Sequence, residues 1–339
     1  MRPRDWEDIG VALSRERLVE LYEAREQARS HIHSLRPSTS EIADQVADLG
    51  LASHAFELDS RGYTVIPPEV VASPEFVQRV TDTILKVAER RTGVAHALDK
   101  PGNPGRYLTQ SASGNVYLLW HLLFEAEVFE EWLENPVLAA MIDYLLQGDG
   151  QLSSMMAILR WQNPDIDDRD TDNSLTLGLH ADSPGSLTRP VAAHFQMLKD
   201  LVCNAALVLT PFTRETGALA IVPGSHRLGR QPLADEGVDD AIPVEAEVGS
   251  LVVWHGATWH GVFKRRTPGL RLNLTTFHCH RALKTQERYQ WNVPEEMLAR
   301  RSARFARIVG ADDLMGWDSE GPDYGRVIAH QARKGNGAE

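Results

Sequence analysis

Two histidines and one aspartate have the spacing of a metal site. His180 and Asp182 are two residues apart, so on an extended chain both side chains leave the same face. A second histidine from a distant strand would complete a set of two imidazoles and one carboxylate, and His260 is the candidate. This ligand set suits Fe(II) and leaves three cis positions for a chelating cosubstrate and O₂.

An arginine follows the distal histidine at a useful distance. Arg271 lies eleven residues after His260. A guanidinium binds a carboxylate through two parallel hydrogen bonds, so this position suits a dicarboxylate cosubstrate. Arg271 also begins an alternating strand on which Asn273 and Thr275 share its face. That face is therefore polar, with amide and hydroxyl groups beyond the guanidinium.

Three segments accompany these residues, namely Leu179-His180-Ala181-Asp182-Ser183, the Gly-Ala-Leu to Pro-Gly-Ser-His stretch that ends at His226, and the hydrophobic run from Gly249 to His260. Together with Arg271 they resemble the phytanoyl-CoA dioxygenase family of Fe(II)/2-oxoglutarate oxygenases. The resemblance covers roughly Phe56 to Arg281.

The resemblance implies a fold and a chemistry. The implied fold is mainly β with flanking helices, around a double-stranded β-helix core of the jelly-roll or cupin-like kind. The implied reaction oxidises a C–H bond of a small organic substrate while 2-oxoglutarate is converted to succinate and CO₂. Fe(II), 2-oxoglutarate and O₂ are the implied cofactors. His180, Asp182 and His260 would be the metal ligands and catalytic residues, and Arg271 would bind the far carboxylate of 2-oxoglutarate.

The same resemblance adds further candidates. In this family the strand that corresponds to Leu152 onward lines the cosubstrate and substrate pocket, so Arg160 and Gln162 join Arg271 and Thr275 as cofactor-binding candidates. An equally open alternative is that Arg160 and Gln162 reach solvent at the end of a strand. Related halogenases replace the carboxylate of the metal site by a small residue. Since Asp182 is retained, hydroxylation is favoured over halogenation.

The order of elements fits that fold. Short strands separated by Gly, Pro and Asp turns are predicted from Leu152 onward. They include segments at 176–182, 191–198, 203–210, 219–222, 249–254 and 270–277. Helices are predicted over residues 11–33, 38–49, 73–91, 116–133, 136–147 and 293–309. These elements suggest a helical extension (1–55), an oxygenase domain (56–285) with a helical insert (74–147), and a C-terminal helical extension (286–339).

Composition limits the partners. The net charge of −12 argues against a nucleic-acid partner and gives no support for an anionic membrane surface. No apolar run approaches the ~20 residues of a membrane span, and the amino terminus lacks a hydrophobic signal core. Two cysteines do not form a disulfide framework, so a cytoplasmic location is expected. A monomer or homodimer acting on a small-molecule substrate is the expected assembly.

Other histidines are weaker candidates. His278-Cys279-His280 has ligand-like residues, but strand alternation puts the cysteine opposite the histidines, so one ion does not easily take all three. His226 is expected to brace its turn rather than bind metal. His255 lies five residues before His260 and is a candidate for supporting the site from behind the ligands.

Two other function classes remain open. A zinc-dependent hydrolase or isomerase with the same ligands would need an additional general base, and no convincing one stands near either motif. A non-catalytic jelly-roll binding protein would be expected to lack part of the triad or the arginine.

Four arginines are candidates for a substrate carboxylate: Arg106, Arg160, Arg189 and Arg227. Tailoring of a terpenoid or another natural product is the leading expectation for the substrate.

Overall fold

The computed structural model describes residues 14–32, 36–100, 115–164, 166, 173–182, 201–313 and 324–325. It divides the chain into two compact units. The larger unit runs from Ser38 to Glu287, and the smaller one contains the chain before Ser38 and the chain from Arg288 onward. The sequence interpretation ended the N-terminal extension at residue 55, so the structure places the segment 38–55 in the larger unit instead.

The smaller unit is helical where it is described. It contains α1 (Arg15–Ile32), α8 (Glu295–Ala299) and α9 (Ala303–Ile308). The Ser302 hydroxyl caps α9 by accepting the Phe305 N–H at 3.2 Å. The helices predicted at both ends of the chain are therefore present, although the C-terminal one is divided into two short pieces.

The larger unit contains the sheets. Its described strands are β1 (Tyr63–Ile66), β2 (Val116–Leu119), β3 (Gly150–Arg160), β4 (Leu175–His180), β5 (Val202–Val208), β6 (Leu219–Ile221), β7 (Ile242–Pro243), β8 (Leu251–His255), β9 (His260–Phe263) and β10 (Arg271–His280). They form a six-stranded main sheet in the order β1-β8-β5-β10-β3-β2 and a four-stranded minor sheet in the order β4-β9-β6-β7. The predicted mainly β, jelly-roll fold is confirmed. The strand predicted at 191–198 lies outside the described residues.

A core of apolar side chains joins the two sheets. Val252 and Trp254 of the main sheet pack with Ile221 of the minor sheet and with Phe212 and Val244 from the connecting segments. All five are at least nine-tenths buried. Burial of side chains of this size contributes roughly 1.5–3 kcal/mol each, so this core fixes the separation of the sheets.

Helices cover the outside of the main sheet and its edge. In the larger unit they are α2 (Thr39–Asp48), α3 (Ala52–Arg61), α4 (Pro68–Val71), α5 (Pro74–Thr92), α6 (Glu127–Leu133) and α7 (Pro136–Leu146). Helix α7 is apolar on nearly every side and packs on β3, β5, β8 and β10. The Asn135 side chain caps it by accepting the N–H groups of Val137 and Leu138, each at 3.0 Å. None of the described helices is both long and apolar enough to cross a membrane.

Helix α2 explains why the larger unit begins at Ser38. A capping box begins it, since Ser38 Oγ accepts the Glu41 N–H and a Glu41 oxygen accepts the Ser38 N–H at 2.7 Å. Its buried residues are Ile42 and Val46, and the helix packs against α7. Because α7 itself lies on the main sheet, α2 belongs to the sheet's own packing.

The helix predicted over residues 116–133 is wrong in its first part. Val116–Leu119 is strand β2, which pairs antiparallel with β3 at the edge of the main sheet. A short 3-10 helix (Leu122–Phe124) follows, and only Glu127–Leu133 is α-helical. A short apolar run has no period that separates a buried strand from a buried helix, and here the open edge of β3 decided the outcome.

Gly62 lets the chain turn from α3 into β1 beside the loop that precedes β9. It ends α3 with a left-handed φ of 83°. Its carbonyl accepts hydrogen bonds from the His255 N–H at 2.9 Å and the Thr258 hydroxyl at 2.8 Å. A Cβ at this position would lie 2.5 Å from both His226 Nδ1 and Thr258 Oγ1, so no larger residue fits without displacement.

We expect Gly62→Ala to lower the free energy of unfolding by about 3 kcal/mol, combining a left-handed backbone cost of about 1–2 kcal/mol with overpacking. Gly50→Ala is the matched control, because Gly50 also has a positive φ of 69° but has nothing within 4 Å of the added Cβ. The control should lose about 1 kcal/mol. Urea unfolding of both variants measures the difference, and equal losses would contradict the close approach at Gly62.

Candidate metal centre and cosubstrate cavity

Antiparallel pairing places the two histidines side by side. In the ladder between β4 and β9, His180 lies directly opposite His260. Their ring centroids are 4.4 Å apart. Asp182 follows two residues later, and its N–H donates to the Gly256 carbonyl at 2.7 Å. The pairing therefore brings together three side chains from two distant parts of the sequence.

The three side chains direct ligand atoms to one point. His180 Nε2 is 3.8 Å from Asp182 Oδ1, and His260 Nε2 is 3.2 Å from Asp182 Oδ2. One ligand atom from each residue lies within 4.8 Å of the others. Cis ligands with metal–ligand distances near 2.1 Å stand roughly 3 Å apart, so the set needs little adjustment to hold an ion. Within the described ranges this is the one such group of His, Cys, Asp and Glu.

Backbone carbonyls fix the tautomer of both histidines. Nδ1 of His180 is 3.0 Å from the Gly178 carbonyl, and Nδ1 of His260 is 2.9 Å from the Thr258 carbonyl. A carbonyl only accepts, so each Nδ1 carries the proton and donates it. In the neutral form of each ring Nε2 therefore has its lone pair, and both Nε2 atoms are the ones that approach Asp182. This is the arrangement in which neutral histidines bind a metal.

The charge of Asp182 is favoured by its neighbours. Burial alone raises the pKa of Asp182, but His260, His180 and the Asn204 amide outweigh it and lower the pKa to about 2. Asn204 Nδ2 donates to Asp182 Oδ2 at 2.9 Å. Burial lowers the pKa of His260, yet the Asp182 carboxylate reverses this and the pKa is raised. For His180 burial dominates and, with repulsion from His260, lowers the pKa.

A cavity of about 350 Å³ opens beside the three ligands. Its lining combines apolar side chains with a few polar ones from both sheets. The lining residues are Val116, Leu118, Met156, Ile158, Arg160, Thr176, Leu177, His180, Asp182, Asn204, Ala206, Phe212, Leu219, Trp254, His260, Val262, Arg271, Asn273, Thr275, Phe277 and Gln286. Asp182 is the single carboxylate among these described residues.

Arg271 lies at the cavity, and its side chain is held in a fixed orientation. The residue is only 2% exposed. Its guanidinium donates to the Gly217 carbonyl and, at 3.2 Å, to Asn273 Oδ1. It also stacks over the Phe212 ring with its central carbon 4.3 Å from the ring centroid. Asn273 in turn donates to Thr275 Oγ1 at 2.7 Å, so the polar face predicted for this strand forms one connected network.

Arg160 brings a second guanidinium to the same cavity. It is the cross-strand partner of Arg271 in the ladder between β3 and β10. It is 6% exposed, and its Nε has no hydrogen-bond partner in the part of the chain that the structure describes. Burial lowers the pKa of Arg160 to about 10. Burial, with repulsion from Arg160 and Arg265, holds the pKa of Arg271 well below its ordinary value. Two buried cations against one carboxylate favour an anionic ligand.

Gln162 is not brought to the cavity. Strand β3 ends at Arg160, and the chain beyond it leaves the sheet. Gln162 is exposed and donates to the Arg266 carbonyl at 2.8 Å. Because the strand alternation of side chains ends at Arg160, Gln162 does not share the cavity face of that residue. Of the predicted carboxylate-binding arginines, Arg106 and Arg189 lie outside the described residues.

His255 and His226 lie away from the ligands. Trp254 of β8 lines the cavity, so the next residue, His255, faces the opposite side of the sheet. There its ring lies 5.6 Å from that of His226, which approaches the Asp59 carbonyl at 3.2 Å. The expectation that His255 supports the metal site is therefore wrong. Arg227 also donates to the Asp59 carbonyl and does not reach the cavity.

Asn204 is a site residue that the sequence reading missed. It stands in β5, where all seven residues are buried, and the other six are Val, Cys, Ala and Leu. A lone amide in such a strand must find a buried partner, and that requirement is the signal that points to it. Its partner, Asp182, depends on the tertiary fold and cannot be predicted from the sequence.

Comparison with known proteins decides the family. The sequence profile of the phytanoyl-CoA dioxygenase (PhyH) family matches residues 58–273, which is more than half of the chain. The chain belongs to the phytanoyl-CoA dioxygenase family. The family groups non-haem iron dioxygenases that use 2-oxoglutarate as cosubstrate, so iron and 2-oxoglutarate are the cofactors that membership assigns to this chain.

Individual relatives of this family are distant. The uncharacterized protein Rv1501 of Mycobacterium tuberculosis is 27% identical over 206 residues, which cover 60% of this chain and 65% of that protein. Dioxygenase andF of Emericella variicolor is 31% identical over 115 residues, covering 33% of this chain and 38% of its own. The match thus spans less than two thirds of either relative. The crystal structure of HygX from Streptomyces hygroscopicus with nickel and 2-oxoglutarate bound shares the fold, with a TM-score of 0.50 at 17% identity over 69% of this chain and 88% of HygX.

The residues present fit the metal of the family. Two Nε2 atoms with their lone pairs free and one ionised carboxylate match the preference of non-haem iron for two imidazoles and a carboxylate. The adjoining cavity carries buried guanidinium groups that suit a dicarboxylate.

The pH dependence of metal binding should follow His260 rather than Asp182. A bound metal needs a neutral imidazole, and the raised pKa of His260 means that its proton is lost only above the usual range. Asp182, with a pKa of about 2, stays ionised throughout. We expect the Co²⁺ affinity to fall about tenfold per pH unit below the His260 pKa, and more steeply once His180 is protonated.

Calorimetric titration of Co²⁺ into the metal-free protein, between about pH 8 and about pH 5, measures this slope. An affinity that stays constant across that interval would contradict metal binding through these imidazoles.

Proposed function

We propose that this protein is an Fe(II)/2-oxoglutarate-dependent dioxygenase that hydroxylates an unactivated C–H bond of a small organic substrate, with release of succinate and CO₂. The single observation that carries the proposal is the convergence of His180, Asp182 and His260 beside a cavity with two buried guanidinium groups. Family membership supports the same cofactors.

In this proposal His180, Asp182 and His260 would hold the iron. When bound, iron supplies the site at which O₂ is activated and 2-oxoglutarate is oxidatively decarboxylated. The protein's own contribution is to hold the Nδ1 protons of His180 and His260 on backbone carbonyls, so that each Nε2 faces the ligand position, and to keep Asp182 ionised with the help of the Asn204 amide. No side chain is needed as a nucleophile or general base.

Arg271 is proposed to bind the distal carboxylate of 2-oxoglutarate. Its guanidinium is fixed by Gly217 and Asn273 before any ligand arrives, which lowers the entropy cost of binding. Thr275, at the end of the same network, offers a hydroxyl to the cavity. Arg160 adds a second positive charge beside Arg271.

The apolar part of the lining favours an apolar substrate. Val116, Leu118, Met156, Ile158 and Leu177 present hydrocarbon to the cavity. Such a wall excludes water from the reacting centre and binds a mostly hydrocarbon skeleton. We therefore propose natural-product tailoring, with a terpenoid-like substrate, as the function. A cytoplasmic monomer or homodimer that binds neither nucleic acid nor membrane stays a prediction from the sequence.

The rival functions have less support. A zinc-dependent hydrolase needs a general base next to the metal-bound water, and Asp182, a ligand, is the one carboxylate among the described residues that line the cavity. A binding protein without catalysis has no need for three converging ligand atoms with matched tautomers.

Substitution of the ligands tests the proposal. We expect His180→Ala and Asp182→Ala to reduce succinate formation from Fe(II), 2-oxoglutarate and O₂ at least about a hundredfold, because loss of a supporting residue alone costs 10–100-fold. His280→Ala is the control, since His280 lies at the far end of β10 beside Asp149. Succinate release that persists in both ligand variants with unchanged folding would refute the metal assignment.

The cosubstrate assignment has its own test. Arg271→Gln should raise the KM for 2-oxoglutarate at least about 30-fold, since truncating one partner of a buried charge pair costs 2 kcal/mol or more. Arg227→Gln, which removes a guanidinium far from the cavity, should leave that KM unchanged. Steady-state kinetics with 2-oxoglutarate varied give the comparison. Equal KM values for the two variants would remove Arg271 from the cosubstrate site.

A further inference from the structure

The peptide between the two ligands of the His180–Asp182 pair is held by a side chain far along the chain. The Ala181 N–H donates to Gln231 Oε1 at 2.9 Å, and Gln231 Nε2 donates to the Ala181 carbonyl at 2.6 Å. Only one orientation of the amide satisfies both bonds, because a flipped amide would set donor against donor. Strand β4 ends at His180. At the next residue, Ala181, the Gln231 amide forms the two backbone hydrogen bonds that a neighbouring strand would otherwise supply.

The residue next to Gln231 holds the other ligand-bearing strand. The Trp259 indole N–H donates to the Arg230 carbonyl at 2.7 Å, and the Arg230 guanidinium lies 5.0 Å from the Trp259 ring centroid. Trp259 immediately precedes His260 and is 2% exposed. Arg230 and Gln231 are neighbours in sequence, so one dipeptide contacts the chain beside all three ligands.

An ion pair fixes the shape of the segment that carries this dipeptide. Arg230 binds Glu236 through two bonds, Nη1 to Oε2 at 2.7 Å and Nη2 to Oε1 at 2.6 Å. The same carboxylate accepts the Leu233 N–H at 2.9 Å. Gly237 follows, and a Cβ there would lie 3.3 Å from Trp259 and 3.5 Å from Leu179. The segment is therefore closed on itself and packed against both strands.

We propose that Gln231 is a positioning residue that sets the geometry of the metal ligands, with Arg230–Glu236 as the brace that links the two ligand-bearing strands. The inference rests on the proposed function, because it takes His180, Asp182 and His260 as the ligands. Gln231 touches none of the ligand atoms and acts through the backbone of Ala181. On the other side of the turn, the Asp182 N–H is already fixed by the Gly256 carbonyl.

The physical reason for such a brace is the tolerance of a metal site. Ligand atoms must be held to within about 0.5 Å, and β4 has ended before Asp182 is reached. Without Gln231, the peptide of Ala181 could rotate and carry the His180 and Asp182 side chains apart. Metal affinity would then fall although each ligand is still present.

Metal titration tests this role without any need for turnover. We expect Gln231→Ala to weaken Co²⁺ binding, measured by calorimetry on the full chain, by about 10–100-fold, the usual effect of removing a group that supports the ligands. Gln231→Glu keeps the acceptor for the Ala181 N–H and loses the donor to its carbonyl, so its loss should be smaller than that of the alanine variant.

Gln151→Ala is the matched control. Gln151 is 7% exposed, and its amide also donates to a backbone carbonyl, that of Leu283, at 2.9 Å. It lies at the end of β3 opposite to Arg160. Thermal unfolding should show a loss of stability in both alanine variants, whereas Co²⁺ affinity should fall only when Gln231 is changed.

The outcomes separate the inference from the function beneath it. If the wild-type protein binds Co²⁺ no more tightly than His180→Ala does, the metal assignment fails and the inference falls with it. If binding depends on His180 but Gln231→Ala matches the wild type or the Gln151→Ala control, the inference alone is overturned. Should Gln231→Ala not fold, an unchanged affinity in Gln231→Glu overturns it equally.

Discussion

The register between β4 and β9 is the constraint on which the rest of the site depends. Because His180 lies opposite His260, a shift of one residue in either strand would turn one imidazole to the other face of the minor sheet. The ladder between β4 and β9 is irregular before His180, so the hydrogen bonds between the two strands do not determine this register alone. Buried residues complete it, in a small cluster that contains Ala181, Trp259 and Phe263, with Leu179 packed against it. The chemistry of the site is thus a consequence of how a narrow sheet packs.

The two sheets carry different residues of the site. The minor sheet carries the histidines, whereas the main sheet carries Arg271 and Arg160 on β10 and β3. Asn204 of the main sheet donates a hydrogen bond to Asp182, which lies just beyond the end of β4 in the minor sheet. This bond connects the sheet that carries the arginines to the ligands. Helix α7 packs on the outer face of the main sheet. The distance between the proposed metal and the guanidinium groups is therefore set by the core that separates the sheets.

The sequence predicted the parts of the site that depend on local spacing. The two-residue interval of His180 and Asp182, and the alternation that starts at Arg271, lead to the faces that the structure shows. Predictions failed where the chain's path is decided by distant contacts. Gln162 leaves the cavity because β3 stops at Arg160, and Val116–Leu119 became a strand because β3 had a free edge. Gln231 gave no signal at all, since an amide that binds a backbone peptide has no motif.

The paired arginines have a consequence for handling the protein. Two guanidinium groups in neighbouring positions of one sheet repel each other, and burial denies them the water that would screen the repulsion. Any dianion small enough to enter should relieve this and raise the melting temperature by mass action. Citrate, sulfate and succinate in a buffer would then act as competitors as well as stabilisers, and conditions chosen for the best thermal stability would be poor ones for observing catalysis.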